Sequence, residues 1–194
     1  LNPMQTFADE EIKHNFTLIL ASPYKIYFSE SMKHQGIYLE DLNSVAHNQS
    51  GNEDNLLVLC DRGYKSGKHY IEFTLETEPC ESSIIIGITH LRSDYYFNIN
   101  EFKNFWGYIP SEGTKLANND VVEVGLPCKI KDKVGLLMQF NLTGMDLILF
   151  INNSIIGTLF KNLPLGPCYY PCAVLKFDGM KIRVSNRVPI PNQL

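Results

Sequence analysis

The chain has 194 residues, 44% of them hydrophobic, which suits one domain with a real core. Its 17 Lys and Arg against 21 Asp and Glu leave a formal charge of −4 with no basic run, which argues against nucleic-acid binding by phosphate neutralisation. No apolar run reaches the length of a membrane span, and the opening LNPMQTFADEEIKHN lacks the charged-then-apolar leader of a signal peptide.

In chain order, short apolar or alternating runs at 17–20, 25–28, 36–39, 56–60, 69–75, 84–89, 106–108, 134–140, 146–151, 155–160, 170–175 and 181–184 predict strands. Polar turn residues break them at the spacing of an all-β sandwich or barrel. Helical signal is confined to two short turns, at 9–13 and 100–105, the latter with Phe102 and Phe105 three apart. Residues 1–30 read as a lead-in segment, 31–188 as the domain, and 189–194, which include Pro189 and Pro191, as a tail.

Two hairpins stand out. VGLLMQF, NLTG and MDLILFI read as strand, turn and strand, with Gly144 supplying a positive φ. The next turn is Asn152-Asn153, because asparagine tolerates the left-handed region. Gly157 marks a bulge or a close approach, and Phe160 enters the core.

The formal acceptors Asn15-Phe16-Thr17, Asn48-Gln49-Ser50, Asn141-Leu142-Thr143 and Asn152-Asn153-Ser154 read as chance triplets in an Asn-rich chain. The odd set Cys60, Cys80, Cys128, Cys168 and Cys172 makes a poor disulfide framework and reads as thiols of a reducing, intracellular compartment.

Seven stretches, in order, resemble the SPRY domain family. Ser66-Gly67-Lys68-His69-Tyr70-Ile71-Glu72-Phe73 is similar to the family's glycine followed by His-Tyr-Trp-Glu-Val, with Ile71 in place of tryptophan. Ile84-Ile85-Ile86-Gly87-Ile88 resembles the run ending in Val-Gly-Val, and Phe105-Trp106-Gly107-Tyr108 the Ser-Trp-Gly-Tyr. Val134-Gly135-Leu136-Leu137 follows Lys131-Asp132-Lys133, where the family has Gly-Asp. Asn152, Asn153, Gly157 and Phe160 fall where it has Asn-Gly, Gly and Phe. Tyr170-Pro171 and Val184-Ser185-Asn186 complete the series, with Arg187 where the family closes on Phe. The resemblance implies a bent sandwich of two antiparallel sheets.

Catalytic chemistry finds little support. Residues 63–69 fail as a phosphate loop: three residues separate Gly63 from Gly67 where four are needed, and the stretch runs into a strand. His14, His34, His47, His69 and His90 are scattered, so no metal or cofactor is expected. Cys60 stands near Arg62, which would lower its pKa if exposed, but a strand-end thiol reads as structural. Glu72 and Glu76, four apart on one strand, read as solvated charges of an outer face rather than an acid–base pair. The chain is therefore read as no enzyme.

Recognition has more to offer. Tyr95 and Tyr96 lie in an aromatic and polar stretch and either cap the core or contact a partner, while Trp106 reads as core. The polar run 46–55 reads as a mobile surface loop, where binding residues concentrate. The resemblance implies peptide recognition by loops at one edge of the sandwich. By position these are the loop at 48–55 with Asn52 and Asp54, then Ser82, then Tyr95 or Tyr96. Phe177-Asp178 lies where the family has Trp-Gly. The expected function is a non-catalytic, monomeric protein- or peptide-binding module, with an acidic Asp54 and Asp178 rim favouring Lys or Arg in the ligand. In the family such domains often serve as adaptor or substrate-recognition parts of ubiquitin ligases. The alternative readings are a carbohydrate-binding sandwich and, less favoured, an enzyme using the Glu72 and Glu76 pair or Cys60.

Overall fold

The structure, a computed structural model, describes residues 25–90, 104–117, 120–185 and 190–191. In chain order its strands are β1 (Phe28–Lys33), β2 (Ile37–Glu40), β3 (Val45–Asn48), β4 (Leu56–Cys60), β5 (Lys68–Leu75), β6 (Ile84–His90) and β7 (Phe105–Ile109). They continue with β8 (Thr114–Ala117), β9 (Asp120–Glu123), β10 (Lys133–Phe140), β11 (Met145–Ile151), β12 (Ser154–Leu163), β13 (Tyr169–Leu175) and β14 (Lys181–Ser185). No helix occurs among the described residues.

The strands form two seven-stranded antiparallel sheets, ordered β1-β4-β13-β6-β7-β8-β9 and β12-β11-β10-β5-β14-β3-β2. Alternation explains how they pack. Ile71, Phe73 and Leu75 of β5, with Val134, Leu136 and Met138 of β10, meet Val58, Ile84, Ile86, Ile88 and Tyr108 of the other sheet in one dry core. Ile71, which stands at the family's tryptophan position, and Trp106 are both buried in it. The outer faces carry apolar clusters of their own. One joins Leu57, Leu59, Ile85 and Phe105. The other joins Leu137, Ile148 and Phe150, with Ile190 packed on it.

The two motif glycines Gly87 and Gly107 face each other across β6 and β7. A Cβ on Gly87 would strike the Trp106 carbonyl oxygen; one on Gly107 would strike the Phe105 ring. Lys131-Asp132 stands where the family has Gly-Asp, and Lys131 adopts φ 71°, a left-handed backbone that glycine takes without steric cost.

Several sequence expectations are corrected. The strand expected at 25–28 lies at β1, and β3, β8 and β9 were not expected at all. Those three are four-residue strands, and β9 is exposed throughout, so no alternation betrays it. Of the expected turn at 100–105, Phe105 opens β7 opposite Thr89. The turn at 9–13 and the strand at 17–20 lie outside the described residues. Gly144 is absent from the positive-φ positions; it is needed because a Cβ there would come within 2.5 Å of Asn162 Cα.

The Asn152-Asn153 turn is as expected, with φ 50° and 65°, between the paired Ile151 and Ser154. Gly157 sits at a bulge, since Leu149 pairs with Gly157 and Phe150 with Ile155. Phe160 is half-buried and packs against the core, beside Leu159, which is fully within it. Asn152 does more than turn: its Oδ1 accepts from Lys133 N at 2.9 Å and its Nδ2 donates to Asp132 Oδ1 at 2.9 Å. Asn153→Gly should therefore leave stability unchanged or raise it by up to about 1 kcal/mol. Asp132→Ala, which removes acceptors for both Asn152 and Lys129 N, should cost about 1–2 kcal/mol in urea unfolding.

Candidate functional site

Strands β4, β13, β6 and β7 lie side by side, and their ends at Leu56, Leu175, Ile84 and Ile109 share one end of the sandwich. From that end leave the segments 49–55, 176–180, 76–83 and 110–113. Hydrogen bonds join these four into a continuous surface.

The first junction is built on Asn48, the last residue of β3, which is 0% exposed. Its Nδ2 donates to Leu175 O at 3.1 Å. Its Oδ1 accepts from Ser50 N at 3.0 Å and Ser50 Oγ at 2.8 Å. Its backbone N donates to Met180 O, and its carbonyl accepts from Gly179 N at 2.8 Å. A buried amide must have such partners. Asp178 then reaches back, its Oδ1 accepting from Gly51 N at 3.0 Å. The segment 46–55, read from sequence as a mobile loop, is thus a strand end followed by a pinned turn. The Asn48-Gln49-Ser50 triplet is an Asx turn whose spacing lets Asn48 Oδ1 meet the amide two residues on.

The second junction joins 176–180 to 76–83, through Lys176 N donating to Ser83 O at 2.8 Å. The third joins 76–83 to 110–113. Ser82 sits in the left-handed region at φ 56°, donating its N to Ser111 Oγ at 3.1 Å and its hydroxyl to the Glu112 carboxylate. On this surface Asn52 and Asp178 are exposed, and Asp54, Ser82 and Phe177 are half-buried. The Lys176 ammonium lies 4.7 Å above the Phe177 ring. The structure therefore brings Asn52, Asp54, Ser82, Phe177 and Asp178 to one end. Sequence reasoning missed Asn48, Ser111 and Glu112, which hold them there. Tyr95 and Tyr96 lie outside the described residues; the strands that flank their segment, β6 ending at His90 and β7 beginning at Phe105, meet at the opposite end.

The groups weighed for catalysis take structural positions. Cys60 is buried, and burial pushes its thiol pKa well up, the reverse of an activated nucleophile. Glu72 lies in β5 and Glu76 just past its end, four residues or about 13 Å of extended backbone away, and the two carboxylates are taken up by different cations, Lys133 for Glu72 and Lys131 with Arg183 for Glu76. Contrary to the solvated reading, Glu72 is 1% exposed, with one oxygen 3.1 Å from Lys133 Nζ. Glu76 accepts from Lys131 Nζ at 2.5 Å and Arg183 Nε at 2.7 Å, which hold its carboxyl below the usual range.

No family model matches the chain, and no curated protein matches it either. Solved structures do. The SPRY domain of human HERC1 superposes with a TM-score of 0.68 at 15% identity, over 86% of this chain and 99% of that one. A human SPRY domain gives 0.65 at 11% identity, over 82% and 98%. The TRIM65 PSpry domain gives 0.62 at 13% identity, over 84% and 90%. The chain has the SPRY-domain fold, as the seven motif stretches implied.

Two predictions follow from these environments. Asn48→Ala strands the Leu175 carbonyl and the Ser50 groups, and should cost about 2–3 kcal/mol in urea unfolding. Burial holds His34, His69 and His90 below the ordinary histidine value of 6.5. The unfolded chain then binds protons more readily than the folded one near that pH. The stability these neutral rings contribute is present above pH 6.5 and lost as the pH falls below it. The urea midpoint should drop between pH 7.5 and 5.5, and drop less in His90→Phe, whose ring keeps its place between Trp106 and Tyr169.

Proposed function

We propose that the chain is a non-catalytic protein-interaction module that takes a basic peptide, or a basic patch of a folded partner, on the four joined loops. The observation that carries this reading is the charge of that surface. Its loops bear Glu53, Asp54, Glu78, Glu81, Glu112 and Asp178, besides the Glu76 already paired with Lys131 and Arg183, against the single cation Lys176. Such a field steers a cationic partner and rejects an anionic one. Phe177, half-buried beside Asp178, offers an apolar wall at its centre. The pinned backbone lowers the ordering cost of binding.

The SPRY fold of the solved neighbours supports a recognition role. The free thiols Cys60, Cys80, Cys128, Cys168 and Cys172 suit a reducing compartment. In this reading the domain acts as a monomeric recognition part of a larger intracellular assembly, such as an adaptor or a substrate-recognition part of a ubiquitin ligase.

The test is a titration with 15-residue peptide probes, basic and acidic, at two salt concentrations. Basic probes should bind and weaken with salt. Asp178→Asn keeps an oxygen for Gly51 N while removing the charge, so it should weaken binding about two- to fivefold with the fold intact. Asp54→Asn should act in the same direction. Equal binding of basic and acidic probes, or unchanged affinity in both variants, would overturn the proposal.

A further inference from the structure

A second surface lies on the flank of the sandwich. Strand β9 is the last of its sheet and β12 the first of the other, and among the described residues no strand pairs with the outer side of either. The two edges are neighbours: a Cβ on Gly125, just after β9, would lie 3.6 Å from Ile156 Cγ2 of β12. Lys115 of β8 likewise donates to Leu159 O at 3.0 Å. This flank exposes Val121 (51%), Val122 (49%), Leu126 (85%) and Ile156 (43%). Apolar side chains exposed along an unpaired strand edge mark an interaction site or an aggregation hazard.

The two edges are not equivalent. The β12 ladder shifts register three times against β11, so its backbone is kinked and makes a poor template. The β9 ladder holds register without a break, from Ala117 opposite Asp120 to Thr114 opposite Glu123. An added strand therefore belongs on β9.

Charge selects the occupant. Strand β9 reads Asp120-Val121-Val122-Glu123. A second copy pairing antiparallel in the full register would set Asp120 opposite the other copy's Glu123 in both pairs, and like charges directly opposite destabilise. Self-pairing is thus disfavoured by the same residues that would attract a complementary strand. We propose that β9 is a docking edge for an extended segment of another protein, added as an eighth strand. That segment would read basic–aliphatic–aliphatic–basic, its cations opposite Asp120 and Glu123 and its aliphatic pair opposite Val121 and Val122. Main-chain hydrogen bonds supply affinity in this mode, and the alternating side chains supply specificity.

The probe is a disulfide-cyclised hairpin peptide whose free strand reads Thr-Lys-Val-Ile-Arg-Thr, titrated into the ¹⁵N-labelled chain. Amide shifts should concentrate on residues 114–126 and 154–157. Asp120→Lys with Glu123→Lys should weaken binding at least tenfold, and a hairpin carrying Glu in place of its Lys and Arg should regain it. Asp178→Asn should leave this binding unchanged, which separates it from the loop surface. No shifts on β9 at millimolar hairpin, shifts on the 49–55 and 176–180 loops instead, or equal binding of both hairpins would overturn the proposal. So would self-association in sedimentation that Val122→Glu abolishes, since the occupant would then be a second copy.

Discussion

The candidate surface depends on the burial of one amide. Asn48 gives up water completely, and its main-chain and side-chain nitrogens and oxygens each bond a specific neighbour: Leu175 of β13, Gly179 and Met180 of the turn after it, or Ser50 of the turn after β3. Because Leu175 and Met180 are far from Asn48 in sequence, those bonds fix the end of the β2–β3 hairpin against the turn that carries the chain from β13 in one sheet to β14 in the other. An apolar residue there would fill space without choosing a register. An amide with a fixed donor and a fixed acceptor does choose, and the loops beyond it inherit that choice.

The same logic runs along the row of loops. Each joint uses a short polar side chain or a main-chain group rather than a long flexible one: Asp178 to Gly51, Lys176 N to Ser83 O, Ser82 to Ser111. Short groups lose little rotamer freedom when held. The exposed carboxylates project from a backbone that is already ordered. The opposite end also has packed rings: Tyr64 stacks on His69 at 3.9 Å, and Tyr169 meets His90, Trp106 and Phe140. Among the described residues, aromatic surface at that end adds to directional bonds such as the exchanged main-chain pair of Tyr64 and Tyr169.

Most of the fold was legible because the core strands are short apolar runs bounded by polar turns, buried on both faces. The runs around Phe73, Ile86, Leu136 and Val174 announce themselves. What was illegible has particular causes. Strand β9 pairs by backbone alone and shows no buried face, so composition says nothing of it. Asn48 looked like the start of a polar loop because its burial depends on Leu175, a contact 127 residues away. Lys131 hid a left-handed position behind a residue that ordinarily avoids it, and Gly144 was read for its φ when the reason was the approach of Asn162. Of the site, the loops were legible by position and their joints were not, since a joint is a pairing of two loops and no single stretch records it.

The facing glycines of β6 and β7 differ in how free they are to drift. The obstacle above Gly107 is a side chain, the Phe105 ring, with Ile85 Cγ2 beside it. Shrinking residue 105 would release that position. The obstacle above Gly87 is the carbonyl oxygen of Trp106, which belongs to the backbone and stays whatever residue 106 becomes. Divergent relatives can thus be expected to vary residues 105 and 107 as a coupled pair while retaining glycine at the position of Gly87. That position is then the steadier marker for aligning chains of this fold when overall identity has fallen away.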